Sequence, residues 1–280
     1  SIRNGFIIAR LVLCVSRCGS VNSFAFDALG TLYPVQRRSF SCRRFSCPGK
    51  GGGMDQTGSV AADAAAAALS YSAEEIACLR DEYGRKGWVA IRDFVPPALC
   101  ETLIEEATAL LESDAAFYST DAHTVYQESE DTKFSCEHPR NALQQSSKRI
   151  VDYARLSDQS PLRLLYLQPA LLALVQRIVS PETESKSLYL SDCPFNAAYY
   201  NMYREGDGLG WHFDKGEFGV NLVLQNPVSG GNFEFHHNTL TATDTWAFDK
   251  VERILSGDSC GVVSSDGLVG AGSLVIFNGR

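Results

Sequence analysis

The sequence lacks three features that would define a function class directly: an excess of positive charge, a long apolar run, and cysteines at metal-binding spacing. A formal charge of −8 disfavours a nucleic-acid backbone as partner. The apolar residues 7–13 are interrupted by Arg10 and are too few to span a bilayer. The nine cysteines include no zinc-like pair beyond residue 53, and their odd number suggests no disulfide framework. We therefore expect reduced thiols in an intracellular protein that binds neither nucleic acid nor membrane.

Positive charge is concentrated at the N-terminus. Residues 1–53 hold eight of the 25 basic residues and one of the 33 acidic ones. This Arg-rich, Ser-rich, acid-poor composition is typical of a transit peptide. Two alternatives stay open, namely a start at Met54 with nothing upstream translated, and a functional arm. We expect a leader over 1–53, a flexible linker over 54–71 and a folded domain over 72–280. The compartment is then cytoplasmic, or mitochondrial or plastid if the leader is a transit peptide.

Helical patterns dominate the first half of the expected domain. Ser72 and Glu75 have the spacing of a capping box, so a helix begins there and ends by Gly84 or Gly87. The pair Pro96-Pro97 opens a second helix. An apolar helical region covers about 160–179, with a break at Pro169. Residues 113–147 are polar and read as irregular.

Short strand patterns dominate the second half. Residues 88–92, 197–203, 219–225, 232–236 and 273–277 read as strands, and most are bounded by Gly or Pro turns. Helices followed by such strands indicate an α+β domain with a β sandwich or barrel buttressed by helices.

A His-x-Asp motif, His212 and Asp214, follows the Gly-rich turn after the strand at 197–203. On an extended backbone, residues two apart point to the same side. An imidazole nitrogen and a carboxylate oxygen could thus reach one metal ion. With a second histidine they would form the facial triad of non-haem iron(II) oxygenases, which leaves coordination positions open. By itself the motif is a weak signal, because most such pairs are ordinary hydrogen-bonded histidines.

The surrounding sequence resembles the iron(II)/2-oxoglutarate-dependent oxygenase superfamily, in the branch that contains free-amino-acid hydroxylases and halogenases. The resemblance rests on residues 206–214, 218, 223–225 and 230–235, and extends to 138–140, 160–162, 255–258 and 270–280. It implies a double-stranded β-helix (jelly-roll) core with Fe(II), 2-oxoglutarate and O₂ at one mouth. His212 and Asp214 match the first two iron ligands. Asn201 and Tyr203 match positions that often contact 2-oxoglutarate, although Tyr203 could equally be a core aromatic.

The resemblance also implies two residues that this sequence does not contain. Family members place the third iron ligand, a histidine, and an arginine that pairs with 2-oxoglutarate shortly beyond a stretch like 277–280. We therefore expect the jelly roll to lack its last strands here. His236 and His237 are expected on an exposed turn rather than at the metal, and His138 in a loop or at the substrate mouth.

The resemblance implies a dioxygenase that hydroxylates a small molecule such as an amino acid. Halogenating relatives have glycine or alanine at the position of Asp214, so the carboxylate favours hydroxylation. Asn221, Val223 and Gln225 share one face of a strand, and Asn221 is the polar candidate for the substrate pocket. The alternatives are an inactive fragment or a non-catalytic jelly-roll binding module. Substrate identity and oligomeric state are not predicted.

Overall fold

A computed structural model describes residues 5–15, 70–180, 187–236, 247–264 and 269–279 of the chain. Most of the expected leader and linker lies outside these ranges, and so does His237. Among the described residues, no helix is long and apolar enough to cross a membrane. Six cysteines fall within them, and all six are free thiols.

Five helices lie in the described part of the chain, and local sequence signals account for most of their ends. They are α1 (Ala73–Lys86), α2 (Pro97–Glu112), α3 (Pro161–Tyr166), α4 (Pro169–Val179) and α5 (Phe248–Leu255). The predicted capping box is confirmed, because Ser72 and Glu75 exchange hydrogen bonds at the start of α1. Gly87, at φ 76°, ends that helix in the left-handed conformation that glycine adopts without steric cost. The predicted break at Pro169 separates α3 from α4.

Seven antiparallel strands form the main sheet: β1 Phe6–Leu11, β3 Trp88–Ile91, β4 Phe117–Thr124, β5 Leu143–Val151, β7 Ala198–Tyr203, β8 Phe218–Gln225 and β11 Leu274–Asn278. Their order in the sheet is β3-β11-β8-β1-β7-β5-β4. Two short pairs complete the strands: β2 (Leu13–Val15) with β6 (Leu188–Leu190), and β9 (Glu234–Phe235) with β10 (Val263–Ser264). The predicted strand at 232–236 is thus shorter than expected.

The central strand of this sheet comes from the segment expected to be a leader. β1 pairs antiparallel with β7 on one side and with β8 on the other. Ile7 and Ala9 are fully buried, and Leu11 is 1% exposed. The expected boundary at residue 53 is therefore corrected for this strand, which lies inside the folded unit. The basic composition of the N-terminal segment is visible locally in the sequence. The pairing of β1 with β7, about 190 residues away, leaves no such local signal.

A second correction concerns residues 113–147, expected to be irregular. β4 and β5 pair over eight residues, from Phe117 with Ile150 to Thr124 with Leu143. These strands lie at the edge of the sheet, and their side chains are mostly polar or exposed. The apolar alternation that identifies a half-buried strand is therefore weak here.

The two faces of the main sheet have different surroundings. Alternate residues such as Ile7, Tyr200 and Leu222 point into the core that the helices cover. At the bottom of this core, Glu106 of α2 accepts hydrogen bonds from the Tyr200 hydroxyl at 2.5 Å and from the Ser160 hydroxyl at 2.9 Å. The strand residues that alternate with this core-facing set, such as Ile8, Asn201 and Asn221, line a cavity on the opposite face of the sheet. The fold is thus an α+β arrangement whose sheet separates a helical layer from a large cavity.

Candidate active site

The His-x-Asp segment is held against β5 by hydrogen bonds and a close backbone approach. Ser147 of β5 donates its N–H to the Gly208 carbonyl at 2.7 Å. The Gly210 N–H donates to the Ser146 hydroxyl at 3.0 Å, and Gly210 lies so close to β5 that a Cβ there would meet the Cβ of Gln144 at 2.6 Å. Beyond the motif, the Asp214 N–H donates to the carbonyl of Gly279 at 2.9 Å. The motif is thereby fixed at both ends.

His212 and Asp214 come together as the sequence predicts. The Nε2 atom of His212 lies 3.4 Å from Oδ1 of Asp214, and both side chains are largely buried. The Nδ1 atom of His212 lies 2.8 Å from the Gly210 carbonyl, which can only accept a hydrogen bond. Nδ1 therefore carries the proton, and the lone pair of a neutral His212 is on Nε2. Two electron-rich atoms then face each other across 3.4 Å.

That pair of atoms fits a metal ion. A proton or a cation between them removes their mutual repulsion, and ligand bonds of about 2.1 Å from each atom can meet at one ion across this distance. An imidazole nitrogen and a carboxylate are suitable donors for ferrous iron. Within the described ranges, no group of three His, Cys, Asp or Glu side chains is placed to hold a metal. The fit of the site to a metal ion therefore rests on two protein ligands, His212 Nε2 and Asp214 Oδ1.

Arg10 of β1 binds the other oxygen of Asp214 through its Nη2 atom. Its guanidinium also lies over the Phe277 ring, 5.2 Å from the ring centre. Burial by itself raises the pKa of the Asp214 carboxyl, but the opposing causes, led by the charge of Arg10, outweigh burial and hold this pKa well below its ordinary value. Asp214 is thus an anion with one oxygen on Arg10 and the other directed towards His212.

These groups lie in a cavity of about 740 Å³. The sheet contributes Tyr199, Asn201 and Tyr203 from β7 and Asn221 from β8. The segment 230–236 and Val251, Ile254 and Leu255 of α5 form other parts of the wall. The side-chain amide oxygens (Oδ1) of Asn201 and Asn221 are buried without a hydrogen-bond partner among the described residues. Buried unpaired acceptors are costly, which marks both amides as candidate ligand contacts.

The geometry brings together five of the residues singled out from the sequence: His212, Asp214, Asn201, Tyr203 and Asn221. Their roles towards iron, 2-oxoglutarate and substrate stay predictions. Val223 lines a neighbouring pocket that shares Asn221 with the cavity. Gln225 lines neither and donates its side-chain N–H to the Gly5 carbonyl.

The remaining described histidines differ in their surroundings. His123 stands edge-on to His212, with 5.8 Å between ring centres, but both its nitrogens are engaged, by the Ser146 hydroxyl and the Thr124 carbonyl. His138 accepts a hydrogen bond from the Arg140 N–H and stacks on Phe134, in agreement with the loop interpretation. His236, expected on an exposed turn, is instead part of the cavity wall.

Sequence reasoning missed two cations in this cavity, Arg10 and Lys148. Lys148 lies on β5, one residue beyond the segment 113–147 interpreted as irregular, and Arg10 lies in the presumed leader. For Arg10 the only local signal is a charge inside the apolar run 7–13. A single basic residue in a strand-like run does not by itself indicate which strand or which site it meets.

Gly210→Ala is expected to lower any catalytic activity that depends on His212 by about 100-fold, because misplacement of a reacting group by about 1 Å has an effect of that size. The new methyl group would overlap Gln144 and displace the carbonyl that orients His212. Gly208→Ala is the matched control, since nothing lies within 4 Å of a Cβ at that position. Steady-state kinetics of both variants measures the difference, and equal activity in the two variants would contradict this explanation.

The arrangement defines a class of site: a His/carboxylate pair at the wall of a ligand-sized cavity, as in many enzymes. The Halogenase D family matches residues 71–256, and the chain belongs to this family. Membership indicates an enzyme of halogenase or oxygenase type. Comparison with curated proteins gave no match.

Proposed function

We propose that the protein is an Fe(II)- and 2-oxoglutarate-dependent dioxygenase that hydroxylates a small molecule such as an amino acid. The observation that carries this proposal is the 3.4 Å approach of His212 Nε2 to Asp214 Oδ1 in the wall of the cavity. Ferrous iron, when bound there with 2-oxoglutarate, would supply O₂-dependent oxidation, in which one oxygen atom converts a substrate C–H to C–OH and the other enters succinate as CO₂ leaves 2-oxoglutarate. In this proposal the sheet and the pair β9–β10 belong to a double-stranded β-helix, and β9 contributes to the same cavity as the sheet.

The residues of the chain have separate tasks in this reaction. His212 and Asp214 hold the metal, and the Gly210 carbonyl keeps the His212 lone pair on Nε2. Arg10 keeps Asp214 ionised and fixes its second oxygen. Asn201 and Tyr203 contact 2-oxoglutarate, and Asn221 contacts the substrate. The walls of the cavity exclude water from the reacting groups.

The volume of the cavity supports a small substrate. Sites for small molecules commonly measure about 300–1,000 Å³, and the cavity falls within that range at about 740 Å³. Its wall combines apolar side chains with amides, phenols and charged groups. A free amino acid or a molecule of similar size offers both kinds of group.

The carboxylate of Asp214 supports hydroxylation within a family named for halogenation. Metal-bound halide needs a coordination position that lacks a protein ligand, and Asp214 is placed to occupy one. Its low pKa keeps it anionic, so halide would have to displace a charged ligand that Arg10 also holds.

An assay with ferrous iron, 2-oxoglutarate, ascorbate and chloride over a panel of amino acids tests the proposal. We expect succinate to form with one or a few amino acids, and their products to gain one oxygen atom by mass spectrometry. Chlorinated products would overturn the assignment to hydroxylation. A chain that binds these ligands but makes no succinate would instead indicate the non-catalytic binding module.

A further inference from the structure

Lys148 is a second cation in the cavity, and nothing in the proposed reaction uses it. Its side chain contributes to the cavity wall, next to residues of β7 and β1. Among the residues that the structure describes, none makes a hydrogen bond or an ion pair with its ammonium group. Burial, and secondarily Arg10, lower the pKa of Lys148 to about 8, while Asp214 acts in the opposite direction. An ammonium group in these surroundings lacks the partner that buried charges normally have.

The charges around Lys148 do not balance. Arg10 and Lys148 are both cations of the cavity wall. Of the three carboxylates in that wall, Asp207, Asp214 and Glu234, only Asp214 raises the pKa of Lys148. Arg10 already forms an ion pair with Asp214, so the positive charge of Lys148 has no ion-pair partner among the described residues. Because like charges repel strongly where water is partly excluded, a bound anion would stabilise this part of the cavity.

Neutral hydrogen-bond donors lie in the same cavity wall, close to Arg10. Tyr199 and Tyr203 belong to the cavity wall, and burial, as the largest cause, raises the pKa of each phenol. Both hydroxyl groups therefore stay protonated and can donate to an anion. A cation with neutral donors beside it is suited to a carboxylate, which accepts several hydrogen bonds at once.

We propose that Lys148, together with Arg10, forms a subsite that binds a carboxylate group of a small-molecule ligand in the cavity. Two ligands of the proposed reaction carry such a group, namely 2-oxoglutarate and an amino-acid substrate. The inference rests on the proposed function for the identity of these ligands, but carboxylate binding itself needs no turnover. Since β1 supplies Arg10, the N-terminal strand completes the subsite.

The test measures binding of metal-free full-length protein to 2-oxoglutarate and to the amino-acid panel by isothermal titration calorimetry. Lys148→Met removes the charge with a side chain of similar length, and we expect it to weaken carboxylate binding by at least about tenfold. Lys148→Arg restores the charge and is expected to restore most of the affinity. Lys133→Met, at an exposed lysine, is the matched control and is expected to bind like the unchanged protein.

The two sources of the carboxylate are separated by the ligand whose affinity changes. A loss confined to 2-oxoglutarate assigns the subsite to the cosubstrate, and a loss confined to an amino acid assigns it to the substrate. The dimethyl ester of 2-oxoglutarate and amino-acid amides lack the carboxylate anion. We expect these neutral analogues to bind Lys148→Met and the unchanged protein with similar affinities.

Unchanged carboxylate affinity in Lys148→Met, or no carboxylate binding by any form, would overturn the inference. Failure of the proposed function gives a different pattern, because Lys148-dependent binding would then persist without succinate formation. The melting temperature of Lys148→Met verifies folding. It is expected not to fall, because the substitution removes a buried charge that has no partner.

Discussion

His212→Ala is expected to abolish measurable turnover, with a loss of at least about 100-fold, and to weaken binding of ferrous iron. Replacing even the groups that merely orient metal ligands costs about 10–100-fold, so loss of a ligand should cost at least that much. The substitution leaves the ion pair between Arg10 and Asp214 intact. Folding should therefore change little, and the melting temperature should stay close to that of the unchanged protein.

Anaerobic titration with ferrous iron and assay of succinate measure these two effects. His138→Ala is the control, because His138 lies in a loop stacked on Phe134 and is not part of the cavity wall. We expect the control to retain iron binding. If His212→Ala kept full iron affinity and succinate formation, the metal centre would have to lie elsewhere in the protein.

Ile7→Asp is expected to lower the free energy of unfolding by about 3 kcal/mol or more, because it buries an ionisable group without a partner. Ile7 is fully buried in the central strand, between β7 and β8. A residue in a leader outside the domain would tolerate the same substitution. The experiment therefore tests whether β1 is a working part of the fold.

Denaturant unfolding of the full-length chain measures this effect. Val228→Asp introduces the same carboxylate at an apolar side chain that is 76% exposed, and it is expected to change stability by less than about 0.5 kcal/mol. Equal stability of the two variants would show that β1 is dispensable for the fold. A large loss confined to Ile7→Asp would support the functional-arm interpretation of the N-terminus.

The candidate site was predictable where its residues are close in sequence. His212 and Asp214 are two residues apart, so local backbone geometry is enough to place both side chains on one side. Asn201, Tyr203 and Asn221 follow the alternation of single strands. Gln225 breaks this pattern, because β1 pairs with β8 irregularly between Ile7 and Ile8 and the Gln225 side chain turns to the Gly5 carbonyl.

The sequence by itself determined the elements whose signals are local. Capping at Ser72, proline at the start of α2, the break at Pro169 and the strands flanking the His-x-Asp motif all follow from neighbouring residues. The tertiary structure alone decided that β1 lies between β7 and β8, that β4 and β5 extend the sheet, and that Arg10 and Lys148 reach the same cavity. Strand pairing joins residues about 190 positions apart through backbone hydrogen bonds. Because every residue type except proline can make those bonds at both its N–H and its C=O, the sequence carries little information about which strands will meet.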